Sequence, residues 1–162
     1  VAAPSIFTDR EQAFLCELVR RDVEFMIVGL AAAALQGVPA VTQDIDLWFR
    51  DLRDPRLKAA LEKVGGSYIP PTGSTPPLLA GRNVALFDIV LHMHGLGSFD
   101  QEVESAVEIV IGKTRIKVLS LDRIIASKKA TNRAKDRLVL PVLQDAAAAL
   151  KTRGSEKRPR RR

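Results

Sequence analysis

The sequence predicts an α+β (α/β) chain, a single domain with a mixed β-sheet flanked by helices. Three observations carry that expectation. Short apolar runs of strand length alternate with longer stretches of helical periodicity. Glycine or proline punctuates most of the junctions between them. The strand-like run Asp44 to Phe49 carries two carboxylates two residues apart, a spacing that puts both on one face of a strand.

A length of 162 residues suits one core, expected over residues 1–150. Hydrophobic content of 46% is that of a globular chain. No apolar run reaches the roughly 18 residues of a membrane span, and Val1 to Arg21 carries acids and bases where a signal peptide would be apolar. A lone cysteine, Cys16, excludes an internal disulfide and fits a reducing cytoplasm, the expected location. Its helical, apolar surroundings predict a buried structural thiol. Lys151 to Arg162 holds seven basic residues and one acid, which accounts for the whole net charge of +6. This basic tail, 151–162, is expected to be disordered, either solubilising or touching nucleic acid through counterion release. The body shows neither a basic stripe nor stacking aromatics.

Taken in order, Thr8-Asp9-Arg10-Glu11 is a capping box that opens a helix to about Arg21, with Phe14, Leu15, Leu18 and Val19 inward. Glu24 to Val28 reads as a strand, Ala31 to Leu35 as a helix ended by Gly37-Val38-Pro39, and Asp44 to Phe49 as the carboxylate strand. Pro55 to Val64 is amphipathic, with Leu57 and Leu61 inward. The proline-rich stretch Pro70 to Pro77 reads as a loop. Asn83 to Leu91 reads as a strand whose apolar run Asp88 interrupts. A glycine turn, Gly95 to Gly97, leads to a short helix ending near Ala106. Gly112-Lys113 joins Val107–Ile111 and Thr114–Val118 as a hairpin. Ser120 caps a helix to Ala130, and Ala134 to Leu150 forms the last.

Two carboxylates on one face repel unless a cation lies between them. Asp44 and Asp46 are therefore candidate divalent-metal ligands; the alternative is that they end a strand or cap a turn. Asp88 on a further strand would complete a two-metal site of the kind that clamps attacking and leaving oxygens in phosphoryl transfer. Its alternative is a buried Asp satisfied by backbone donors. His92 and His94, two apart, fit structural or substrate-facing roles better than zinc, for want of further soft ligands.

The run Val28-Gly29-x-Ala31, then Gly37, then Thr42-x-Asp44-Ile45-Asp46-Leu47-Trp48, resembles the nucleotidyltransferase superfamily with the DNA polymerase β-type fold. Within it, the chain is most similar to small stand-alone bacterial and archaeal members related to the toxin components of toxin–antitoxin pairs. The likeness continues through Asp88-Ile89, Phe99, Leu119-Ser120-Leu121, Lys128, Arg133, Lys135 and Asp136, and spans roughly residues 23–145.

The resemblance implies a nucleotidyltransferase fold with C-terminal helices and a metal-dependent transfer of a nucleoside monophosphate from an NTP to an acceptor hydroxyl. Asp44, Asp46 and Asp88 would be catalytic and would bind Mg²⁺, or Mn²⁺ in its place. Gly29, Leu30 and Thr42 would border the nucleotide at a helix N-terminus, and Lys128 and Arg133 would neutralise triphosphate charge. For Lys135 and Lys129 a solvated helical face is favoured, and Asp136 is expected to orient one of the bases. The acceptor is a protein, an RNA or a small molecule, and an antitoxin-like protein partner is implied. Departures stand at Leu30, where relatives carry Gly or Ser, at Ala40 in place of Arg, and at Gln36 in place of His. They keep open a second expectation, a non-catalytic binding or regulatory module of the same fold.

Overall fold

The computed structural model describes residues 6–156. Helix α1 (Asp9–Arg20) begins at the expected capping box, where the Glu11 carboxylate accepts from the Thr8 amide at 2.8 Å. Phe14, Leu15 and Leu18 are fully buried. Cys16 corrects the sequence expectation: it is exposed, because a step of about 100° per residue turns it away from that face.

Strand β1 (Phe25–Val28) is buried along its length and runs directly into α2 (Gly29–Leu35). Strand β2 (Ile45–Phe49) starts one residue after Asp44, so the first carboxylate stands just outside the strand expected to carry it. Helix α3 (Pro55–Lys63) has Pro55 in its first turn and Asp54 as its cap, accepting from the Arg56 amide at 2.9 Å, with Leu57 and Leu61 buried as expected.

The proline-rich segment is the tip of a hairpin that sequence reading missed. Strands β3 (Ser67–Ile69) and β4 (Leu78–Ala80) pair antiparallel around it, and Thr72 bridges Thr75. Each strand is only three residues long, too short to show a period. The strand expected over Asn83 to Leu91 is likewise shorter: a 3₁₀ turn (Arg82–Val84) precedes β5 (Phe87–Val90).

Helix α4 (Phe99–Glu102) follows the glycine turn, and β6 (Val107–Ile111) and β7 (Thr114–Val118) form the expected hairpin around Gly112, whose φ of +62° suits glycine. Helix α5 (Leu121–Thr131) ends at Asn132 in the left-handed conformation. Ser120 occupies its N-cap position without a side-chain bond to the helix. Helix α6 (Ala134–Glu156) runs past the expected end at Leu150. The first residues of the expected tail are thus helical, and 157–162 lie outside the described residues.

The main sheet has the order β5-β2-β1-β7-β6. It is mixed: β2 runs antiparallel to β1 and parallel to β5, and β7 runs parallel to β1. Helices α1 and α3 cover one face, where Phe14 meets Phe87 edge-on at 5.2 Å. Trp48 on the opposite face meets Phe99 of α4 at 5.7 Å. Alternation along β2 and β5 puts Asp46 and Asp88 on the Trp48 face. Among the described residues no helix is long and apolar enough to cross a membrane.

Candidate active site

Strand pairing brings the acids together. Asp46 and Asp88 are register partners on parallel neighbours, separated in sequence by helix α3 and the β3–β4 hairpin. Asp44 precedes Asp46 by two residues, and all three line one cleft of about 370 Å³ with Leu30, Thr42, Lys128, Arg133, Lys135 and Val139. Burial, then the neighbouring Asp88, pushes the Asp46 carboxyl up from its ordinary value, while Lys128 pulls the other way. Asp88 is raised too, by burial and by Asp44. Among the described residues no basic side chain forms an ion pair with Asp44, Asp46 or Asp88.

These acids do not form a finished cage. Among the described residues no three His, Cys, Asp or Glu side chains are placed to hold a metal ion by themselves. Mg²⁺ nonetheless suits the donor set, since it takes one or two carboxylates and leaves its other positions to water and phosphate oxygens. Raised, unpaired carboxylates facing one another are an arrangement that a divalent cation relieves.

Gly29 explains itself by its neighbour. Its φ is +67°, and a Cβ built there would lie 2.5 Å from Asp46 Oδ2. The glycine thus lets α2 begin directly against the carboxylate. Thr42 spends its hydroxyl on the chain, donating to the Asp44 carbonyl at 2.9 Å and holding the turn before β2. Leu30 lines the cleft, half-buried, where the resemblance expects a smaller residue.

The basic side is organised by Asp136, fully buried in the first turn of α6. It accepts from Lys128 Nζ at 3.1 Å and from Arg133 Nε at 2.8 Å, and the Arg133 guanidinium holds its carboxyl far below the usual carboxylate range. Asp136 holds both bases, where the sequence predicts one, and lines the same cleft as the acids. Lys135, for which a solvated face was favoured, is exposed yet lines the cleft, and its charge acts on Asp46. A second chamber of about 180 Å³ adjoins Gly29, Asp46, Lys128 and Arg133; His92 and His94 line it, their rings 4.5 Å apart.

Sequence reasoning gave two supports no structural role. Gln36 ties α2 to the start of α5: its amide donates to the Ala32 and Leu119 carbonyls at 3.0 and 2.8 Å, and its oxygen accepts from the Leu121 amide at 3.1 Å. Glu102 is buried against Arg123 with two contacts of 2.8 Å and also accepts from the Gly97 amide. Both join residues far apart in the chain, beyond the reach of spacing arguments.

No protein-family model and no curated protein matches the chain. Solved structures do. The crystal structure of ANT(2'')-Ia in complex with adenylyl-2''-tobramycin is 18% identical, with a TM-score of 0.57 over 88% of this chain and 95% of that one. A solution structure of the antibiotic-resistance factor ANT(2'')-Ia agrees, at 18% identity and a TM-score of 0.57 over 91% and 92%. The single α+β domain, its mixed five-strand sheet and its C-terminal helices are thus those of a nucleotidyltransferase fold.

Proposed function

We propose that the chain is a metal-dependent nucleotidyltransferase that moves a nucleoside monophosphate from an NTP to an acceptor hydroxyl. One observation carries the reading: Asp46 and Asp88 stand in register and line a cleft that Lys128 and Arg133 also line. Acids suited to a divalent cation and cations suited to phosphate thus share one cleft of about 370 Å³.

Asp44 and Asp46, with Asp88, would hold Mg²⁺ or Mn²⁺, which supplies charge neutralisation at the phosphates undergoing transfer. Lys128, Arg133 and Lys135 take the remaining negative charge of the triphosphate, the first two held in place by Asp136. The Gly29–Leu30 turn admits the phosphates to the N-terminal end of α2. The Asp88 carboxylate accepts the acceptor's proton. The acceptor oxygen then bonds to the α-phosphorus and pyrophosphate leaves.

Candidate acceptors are a protein, an RNA or a small molecule, and the ANT(2'')-Ia complex supports testing tobramycin. A role as the toxin of a toxin–antitoxin pair, with an antitoxin-like partner, rests on the sequence likeness. Leu30 favours a second reading, a non-catalytic binding module, because its side chain lies in the phosphate cleft. Calorimetric titration with each NTP, with and without Mg²⁺, separates the two. The enzyme binds nucleotide and metal together and releases pyrophosphate. A chain that binds neither overturns the catalytic reading.

A further inference from the structure

The two edges of the main sheet differ. At the β5 edge, strand β4 packs alongside. At the other edge, β6 has β7 as its packing partner. Two observations tell which backbone groups β6 has left over. Ile111 and Thr114 flank the two-residue turn at Gly112 and form a hydrogen-bonded pair. Such pairs recur at every second residue, so Ile109 pairs in the same way with Ile116, and Val107 with Val118. The far side of β7 agrees: the Leu119 amide donates to the Ile27 carbonyl of β1 at 2.9 Å, which leaves Val118 facing β6. The N–H and C=O groups of Glu108 and Val110 therefore point away from the sheet. Among the described residues nothing bonds to them.

Edge strands are commonly protected by lysine, proline or a bulge. Strand β6, Val107-Glu108-Ile109-Val110-Ile111, has none of these, and Val107 and Val110 are 37% and 48% exposed. Its free groups are also placed symmetrically, one residue to either side of Ile109. A second copy laid antiparallel, with a two-fold axis through Ile109, pairs Glu108 of each copy with Val110 of the other. Every free N–H and C=O then finds a partner. On the face that α1 covers, Val107, Ile109 and Ile111 meet Ile111, Ile109 and Val107 of the second copy, apolar against apolar. On the opposite face Glu108, which keeps its own Arg115 at 3.8 Å, stands across from a valine, so no like charges oppose.

From this self-complementary edge we propose that the chain forms a two-fold homodimer in which β6 pairs antiparallel with β6 of a second copy, making one continuous sheet through both. Any extended segment could meet the free backbone groups. A second copy also matches the apolar row and keeps Glu108 away from its own kind. The strand pair is small for a protein interface, so association is on the order of tens of micromolar rather than nanomolar. Asp46 and Asp88 lie on β2 and β5, toward the far edge of each sheet, and both clefts stay open in the dimer.

Sedimentation equilibrium of the full chain, from low micromolar to near-millimolar concentration, reads the stoichiometry. Val110→Pro removes an outward N–H without touching the β7 ladder, at an edge position where proline is tolerated. Symmetry removes that bond twice, so association should weaken by about tenfold or more. Circular dichroism and Tm check that the variant is folded. Register is read separately by cysteines in a Cys16→Ala background, because Cys16 is itself exposed. At Ile109 the Cα atoms of the two copies lie about 4.5 Å apart, within disulfide reach, whereas Val110 lies diagonally from its own copy at about 7–8 Å.

The expected result is a concentration-dependent dimer that Val110→Pro weakens. With oxidised glutathione, Ile109→Cys should give a cross-linked dimer and Val110→Cys should not. If the proline variant unfolds, the two cysteine variants decide alone. A chain that stays monomeric across the whole range overturns the proposal and leaves the edge to a foreign strand. A dimer that survives Val110→Pro in folded form, or equal cross-linking at the two positions, puts the interface elsewhere and overturns it as well.

Discussion

Gly29 and Asp46 are in contact across the β1–α2 junction: a side chain on the glycine would begin 2.5 Å from the Asp46 carboxylate oxygen. The backbone turn and the acid therefore constrain each other. The turn at φ +67° costs an L-residue about 1–2 kcal/mol even without a clash. Gly29→Val should lower stability by at least that amount, displace Asp46 and remove Mg²⁺–NTP binding. Urea denaturation and calorimetry on the same variant check both effects; unchanged NTP affinity would place the nucleotide elsewhere.

Replacing Asp44 and Asp46 with Asn removes the acid repulsion and the metal ligands together. In EDTA at neutral pH the double variant should be as stable as the parent, or more so, and its Tm should not respond to Mg²⁺. The sign follows from Asp46. Its carboxyl is raised in the folded state, so the fold binds that proton more tightly than the unfolded chain does. The parent's stability should therefore decline as pH rises from the ordinary carboxylate range through the raised value, and the Asn variant should lose the share due to Asp46 and keep that due to the burial of Asp88. Thermal scans across pH 4–8 measure it. Unfolding of the variant, with a parent that ignores Mg²⁺, would make these acids structural caps.

Asp136 has the opposite sign. Its carboxyl is depressed by Arg133 and Lys128, so its contribution is present above the ordinary carboxylate range and is lost as pH falls toward its folded value. Asp136→Asn should cost about 1.5–3 kcal/mol at pH 7, the scale of hydrogen bonds to charged groups. That is less than for a fully buried pair, because Arg133 is 52% exposed. The gap to the parent should begin to narrow below about pH 4, where the unfolded parent's Asp136 takes up a proton that the folded one still refuses. Denaturant titrations at pH 7 and pH 3 give the comparison.

Leu30→Ser should tighten Mg²⁺–NTP binding by about 1.5–3 kcal/mol, the scale of one hydrogen bond to a charged group. A cleft-lining leucine is replaced there by a small hydrogen-bond donor, the size that the sequence resemblance implies. Isothermal titration reads the change. No gain in affinity would mean that the phosphates do not pass this residue.

Gln36→Leu should destabilise the chain by about 1–3 kcal/mol, since it strands the Leu121 amide and the Leu119 carbonyl. The loss should appear in urea denaturation with little change at the acids, which Gln36 does not touch.

Element types were readable in the sequence wherever a period had room to show. The capping box of α1, the inward leucines of α3 and the Gly112 hairpin all match the fold. Where segments were short the reading failed: β3 and β4, three residues each, flank the proline-rich loop unseen, and Cys16 lies on the outer side of its helix. The spacing Lys128-x₄-Arg133-x-Lys135-Asp136 marked the basic wall. Its inner order, with Asp136 buried and both cations bound to it, arises only from the packing of α6 against α5.

By itself the sequence determined that this chain folds as α+β and that Asp44 and Asp46 accompany one strand, because periodicity and backbone preference act over a few residues. Tertiary structure decided that β5 lies beside β2 rather than elsewhere in the sheet, and so that Asp88 meets Asp46 across the ladder. Strand order follows from which apolar faces can be buried together around one core, a long-range balance that local spacing does not encode.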